Sequence, residues 1–146
     1  MQNERGGYEN DLSVIRLADN HFMIVGPTEQ QCRSLSWIKR HNMDSSVQIS
    51  DIGSLFTAIC VMGPLSKQVL SEVLSDPSEL NSFPFFTFKE LAIGLAQKVR
   101  VCNLTHTGEL GWVLYIPNEY AIHVYDLLLR VGQRYVQKSH FFVRKL

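Results

Sequence analysis

The run Phe56-Thr57-Ala58-Ile59-Cys60-Val61-Met62 constrains the fold more than any other stretch, because it is too uniformly apolar to alternate between a buried and a wet face. Such a strand is stable with neighbours on both edges, and it is read as a central one. Gly63-Pro64 follows at once and is expected to open a helix, since proline at the first helical position gives up an N–H that would be unsatisfied there anyway. Val69, Leu70, Val73 and Leu74 supply its buried face, and Asp76-Pro77 stops it. One apolar strand running straight into one helix sets the grain of the whole chain.

The same grain recurs on either side. Ser13-Val14-Ile15-Arg16-Leu17 and Phe22-Met23-Ile24-Val25 flank the polar Ala18 to His21 and read as a hairpin. A helix from Pro27 to about His41 follows, with Thr28 and Gln31 spaced as a capping box and Cys32, Leu35 and Ile38 as its apolar stripe. Arg33, Lys39 and Arg40 then form a solvated face. After a polar loop, Val47-Gln48-Ile49 alternates as a short strand. Phe83, Phe85, Phe86 and Phe88 crowd around Pro84 and read as core-facing packing beside an irregular connection. Further strands are expected near Glu90 to Gly94, Val99 to Leu104 and Trp112 to Ile116. Pro117-Asn118 caps a third helix with Ile122, Tyr125, Leu128 and Leu129 inward, ended by Gly132. Strand pairs alternating with single helices predict an α+β domain of antiparallel strands with helices packed on one face.

Composition narrows the function classes. The chain has 146 residues, an apolar fraction of 45% and zero formal net charge, which suits one folded domain and lacks the basic footprint of a nucleic-acid binder. Cys32, Cys60 and Cys102 are widely spaced, the latter two inside apolar runs, and read as buried thiols in a reducing compartment. The histidines show no metal-ligand pairing, so no metal site is expected. Met1 to Gly7 carries neither the apolar stretch of a secretion signal nor the basic richness of a transit peptide, and no segment approaches the roughly 20 apolar residues of a membrane span.

Chemistry gathers in Leu104-Thr105-His106-Thr107-Gly108-Glu109-Leu110-Gly111-Trp112, where a carboxylate sits between two glycines at the mouth of a strand. By itself this is the ordinary signature of a hairpin turn. Gly6-Gly7-Tyr8-Glu9-Asn10-Asp11-Leu12, the Gly63-Pro64 helix start, Thr107-Gly108-Glu109-Leu110-Gly111-Trp112 and Tyr115-Ile116-Pro117 together resemble the folate-binding domain of the aminomethyltransferase family. That family includes the glycine cleavage T-protein and parts of the dimethylglycine and sarcosine dehydrogenases. The likeness runs in register from Met1 to about Tyr135, and it is strongest to a regulatory, non-catalytic branch of the family.

The resemblance implies roles for two residues. The glutamate matching Glu109 holds the pterin, its carboxylate accepting paired N–H bonds from the ring's amidine edge. The aspartate matching Asp11 lies by the folate nitrogen that accepts the one-carbon unit, where it positions that nitrogen and stabilises developing positive charge. Asx-type turn geometry is the plain alternative for Asp11. Several positions depart from the enzymes of the family: Asn10 replaces a second aspartate, Gly26 an asparagine beside the folate, and His106 a tyrosine. The family domain also extends before the position of Met1, and residues 136–146 diverge. The chain is therefore read as a partial domain, residues 1–135, with a divergent tail.

The resemblance implies a non-catalytic regulatory or interaction module with a vestigial folate site at Glu109 and Asp11, binding tetrahydrofolate weakly or not at all. By the same resemblance the partner is a phosphatase catalytic subunit, whose activity the longer relative lowers, and the compartment is the mitochondrial matrix. The alternative is a piece of a folate-dependent one-carbon enzyme of the dehydrogenase or aminomethyltransferase type. A third outcome, a chain that forms no stable fold alone, is distinguished by the cooperativity of thermal unfolding.

Overall fold

A computed structural model of the chain describes residues 1–43, 46–136 and 142–145, with the backbone alone at 136 and 142–145. The chain divides into two compact units, Met1–Asp51 and Ile52–Leu146. In the first, β1 (Ser13–Ala18) pairs antiparallel with β2 (His21–Val25), the register shifting between Arg16 and Ala18 so that Asp19-Asn20 make the turn. The hairpin is as expected from its two apolar runs. Arg16 reaches Asp19 at 2.9 Å across this turn, but both side chains are so exposed that the pair contributes little.

α1 (Gln31–His41) is entered through a single 3-10 turn, Thr28–Gln30. The expected capping box does not form: neither turn nor helix has a side-chain cap, and the Gln31 amide donates to both carboxylate oxygens of Asp51, at 3.0 and 2.9 Å. Nor is the expected stripe the buried one. Cys32 is exposed, Leu35 and Ile38 are half-buried, and the buried residue is Ser34, whose hydroxyl accepts a 2.6 Å bond from Asn10 Nδ2. Val47 to Ile49 is not a strand. Asn42 occupies both main-chain groups of Val47, donating to its carbonyl at 2.7 Å and accepting from its N–H at 3.4 Å, which leaves nothing for a ladder.

In the second unit β3 (Phe56–Met62) is central, as its apolar run requires. It pairs along its whole length with β6 (Gly111–Pro117) and on its other edge with β7 (Phe142–Lys145). β4 (Phe88–Ile93) and β5 (Ala96–Cys102) extend the antiparallel sheet in the order β4-β5-β6-β3-β7. β7 lies within the stretch read from sequence only as a divergent tail. The helices α2 (Ser66–Val73) and α3 (Ala121–Val136) cover one face. Val69, Leu70 and Val73 of α2 and Val124, Leu128 and Val131 of α3 share a core with Ile59, Val61, Val99, Val101, Trp112, Leu114 and Ile116 of the sheet. This is the expected α+β architecture with its helices on one side.

Boundaries differ from the sequence expectation for identifiable reasons. α2 starts at Ser66, two residues beyond Pro64, because Gly63 adopts φ +126° and the Ser66 N–H closes a 3.0 Å turn onto the Gly63 carbonyl. Proline then sits at the first central position of a turn, not the first turn of a helix. Asp76 ends the segment as expected, its carboxylate accepting from the Ser78 N–H and hydroxyl, which holds that carboxyl below its usual range. The last residue of α2 and the residues after it cover the outer edge of β4, through Ser75 N–H to the Ala92 carbonyl and Gly94 N–H to the Val73 carbonyl.

α3 runs through the buried Gly132 to Val136 instead of ending there, since Arg134 and Tyr135 in its last turn both bond to Glu72 of α2. Its buried stripe is Val124, Leu128 and Val131. Of the expected set only Leu128 is inside, and Ile122, at 77% exposure, is the furthest out. The Asn118 side chain does not cap the helix either. It accepts from Thr57 Oγ1 at 2.6 Å and donates to the Ser54 carbonyl at 2.5 Å.

The phenylalanine run splits in two. Phe83 is buried with its ring centroid 5.0 Å from that of Trp112, whereas Phe85 and Phe86 are 57% and 75% exposed, correcting the core-facing expectation for both. Phe86 has φ +61°, a conformation that costs a bulky residue on the order of 1–3 kcal/mol. Buried Asn103 holds the turn in it: Nδ2 donates to the Phe83 carbonyl at 2.7 Å, its own carbonyl accepts the Phe86 N–H at 2.9 Å, and its N–H reaches Thr87 at 3.0 Å. The Thr87 hydroxyl closes onto Pro84 at 2.6 Å.

Away from the helices, Cys60 and Cys102 lie in one row of the sheet, each facing Val113 from opposite sides, and both are buried. Burial pushes the Cys102 thiol up to about 11 and, together with the neighbouring thiols, raises Tyr115 further still. At pH 8 iodoacetamide is expected to modify Cys32 rapidly, and Cys60 and Cys102 only on unfolding, which peptide mass spectrometry will read out. Because the Cys102 thiol ionises more readily in the unfolded chain, stability is expected to fall between about pH 9 and pH 11. A stability curve flat across that window would contradict this.

Candidate functional site

The loop from Asn103 to Leu110 joins β5 to β6 and is pinned at its base. The Leu110 carbonyl accepts two bonds from the start of the α2 segment, the Gly63 N–H at 2.9 Å and Ser66 Oγ at 3.0 Å. On the other limb the His106 N–H points at Met62 Sδ, 3.4 Å away. Gly111 is required where the limbs converge: a Cβ there would lie 2.9 Å from the Leu104 carbonyl oxygen, 3.0 Å from Met62 Cγ and 3.1 Å from Thr105 Cβ. Above this base the chain makes a hydroxyl-supported turn, with the Thr107 N–H on Thr105 Oγ1 at 3.2 Å and the Glu109 N–H on Thr107 Oγ1 at 3.4 Å. Gly108 takes φ +79°, the left-handed geometry that glycine adopts without strain.

Glu109 therefore leaves a fixed backbone and enters solvent. It is exposed, and its carboxylate makes no hydrogen bond or ion pair with the described residues. It can accept two parallel N–H bonds from a planar ligand, but in water each is worth about 1 kcal/mol, not the several a closed pocket would give. His106 and Thr107 are exposed beside it.

Asp11 belongs to the first unit and Glu109 to the second, so each stands in its own setting. Asp11 is exposed. The Asn10 beside it is 3% exposed and committed to Ser34. Glu9 on its other side accepts from Arg33 at 2.6 Å and from Asn3 at 3.0 Å, and these bonds, Arg33 foremost, hold its carboxyl below the usual range. A Cβ on Gly26 would lie 2.3 Å from Leu12 Cδ2 and 3.6 Å from Asn10 Nδ2, so an apolar side chain already fills the space that a residue larger than glycine would need.

Asn103 and Ser66 escaped the sequence reading, although they hold the exposed aromatic turn and the base of the carboxylate loop. A lone asparagine between Cys102 and Leu104, in an otherwise apolar run, was the available signal for the first. Ser66 offered none.

Fold and loop together define an α+β domain that offers a carboxylate from a strand connection on an antiparallel sheet. The GCVT N-terminal domain family matches residues 1–139, and the chain belongs to that family. It is 43% identical over 136 residues to the pyruvate dehydrogenase phosphatase regulatory subunit, mitochondrial, of Mus musculus, covering 92% of this chain and 16% of that protein. It is 28% identical over 135 residues to an aminomethyltransferase of Thermoanaerobacter pseudethanolicus, covering 92% of this chain and 36% of the enzyme. An aminomethyltransferase of Bacillus pumilus is 28% identical over 129 residues, covering 88% and 35%. The chain thus spans about a sixth of the regulatory subunit and about a third of each enzyme.

Proposed function

We propose that the chain is a regulatory or interaction module, the counterpart of part of a pyruvate dehydrogenase phosphatase regulatory subunit, acting with a phosphatase catalytic subunit in the mitochondrial matrix. The observation that carries this reading is the 43% identity to the regulatory subunit, against 28% to the aminomethyltransferases over a stretch of similar length. The geometry agrees with it on two points. Asn10 is locked to Ser34 beside a Gly26 whose free space Leu12 fills, so the group next to Asp11 is spent on structure. Glu109 is exposed to water, where a pterin contact inherited from the family would bind only weakly.

Two titrations separate this from the enzyme alternative. The chain added to purified phosphatase catalytic subunit is expected to bind it and change its rate on phosphorylated pyruvate dehydrogenase. Titration with tetrahydrofolate is expected to give no micromolar binding. Micromolar affinity that Glu109→Ala abolishes, with no effect on the phosphatase, would turn the assignment to the folate-dependent enzymes.

A further inference from the structure

We propose, independently of the regulatory reading above, that the edge of β3 from Ile59 to Met62 is a strand-acceptor site, closed in this chain by β7 as a detachable clasp. β7 lies beyond residues 1–139, which the family match covers, and yet pairs with the strand at the centre of the core. The register sets Lys145 opposite Ile59, Arg144 opposite Cys60, Val143 opposite Val61 and Phe142 opposite Met62. Burial along β3 follows that coverage. The four residues opposite β7 are each at most 2% exposed, whereas Phe56, Thr57 and Ala58, which β7 does not reach, are only half-buried although β6 pairs with them all.

The two edges of β3 are unequally held. β6 pairs with all seven residues of the strand and β7 with four, and β7 has no second neighbour in the sheet. An end strand held by one short ladder opens at a lower free energy than the strands inside. Once it opens, alternate residues between Ile59 and Met62 are left with unpaired N–H and C=O groups along an apolar edge, the arrangement that recruits an extended segment by strand addition. The partner such an edge takes is a strand running antiparallel to β3, and the segment that fits it is that of β7 itself. Five residues separate β7 from the end of α3, so the clasp closes at an effective concentration on the order of millimolar. A free strand therefore competes well only when the clasp is disabled.

The test uses the full 146-residue chain, its double variant Val143→Pro with Arg144→Pro, and a labelled synthetic peptide of residues 140–146, with peptide affinity and amide hydrogen exchange measured for each chain. Adjacent prolines remove a ladder donor from β7 whichever of the two positions faces β3. The double variant is expected to bind the peptide at least tenfold more tightly than the parent does, and a peptide carrying the same two prolines is expected to bind neither chain. Protection of the β3 amides that face β7 should fall in the variant and return when the peptide is added. Equal peptide affinity in the two chains, or protection untouched by the prolines, would overturn the proposal. The parent alone gives a second measurement that stands even where the variant does not fold: β3 amides facing β7 are expected to exchange through a smaller opening than those facing β6. Equal opening free energies on the two edges would make β7 a fixed strand, and the clasp would be wrong.

Discussion

Leu128→Ala is expected to remove about 2–5 kcal/mol of folding stability, the range for truncating a large aliphatic residue in a packed interior. Leu128 is fully buried, between Val124 and Val131 on the face of α3 that meets the sheet. Whole-domain stability is commonly only about 5–15 kcal/mol, so the loss is a large fraction of the total and should lower the melting temperature on the order of 10 °C. Ile122→Ala on the same helix is the control. Ile122 is 77% exposed, and its truncation should stay within about 0.5 kcal/mol. Urea denaturation of the two variants decides which stripe of α3 faces inward, and equal losses would refute the arrangement described.

Gly111→Ala should be the most damaging single methyl near the candidate site. The added Cβ would press on the Leu104 carbonyl and on Met62 and Thr105, and the first of these is main chain that cannot rotate away. A cost of about 1–3 kcal/mol is expected, with the loop carrying Glu109 displaced from its anchor on Gly63 and Ser66. Gly108→Ala, by contrast, meets no atom and pays only for its left-handed backbone, about 1–2 kcal/mol. Amide hydrogen exchange distinguishes the two, since Gly111→Ala should lose protection at the Gly63 N–H and Gly108→Ala should keep it. Retained protection in Gly111→Ala would mean that the junction is looser than described.

What the sequence made legible was set by periodicity and by local chemistry. The apolar run at β3, the two apolar runs flanking a polar turn at β1 and β2, and the apolar face of α2 were each legible. α3 carries two stripes at compatible spacing, Ile122-Tyr125-Leu129 and Val124-Leu128-Val131, and spacing alone does not choose between them. The Thr28–Gln31 box and the Val47–Ile49 strand failed because distant partners claimed the groups involved: Asp51 took Gln31, and Asn42 took the main chain of Val47. At the site, the glycines around Glu109 were legible as a turn, and the structure adds the reason for Gly111. The outward rings of Phe85 and Phe86 were not, since composition cannot tell an aromatic kept for the core from one held out by a buried asparagine.

The position of β3 also bears on the order in which the second unit assembles. β4, β5 and β6 form a meander whose neighbours are consecutive in sequence, so their pairing closes only short loops. β3 has no such neighbour: Ile59 lies opposite Leu114 on one edge and Lys145 on the other. Joining it requires closure of a loop of about fifty residues on one edge, between Met62 and Gly111, and a longer one on the other, before any ladder bond repays the lost chain entropy. The strand that anchors the finished sheet is therefore expected to join after the β4-β5-β6 meander has paired.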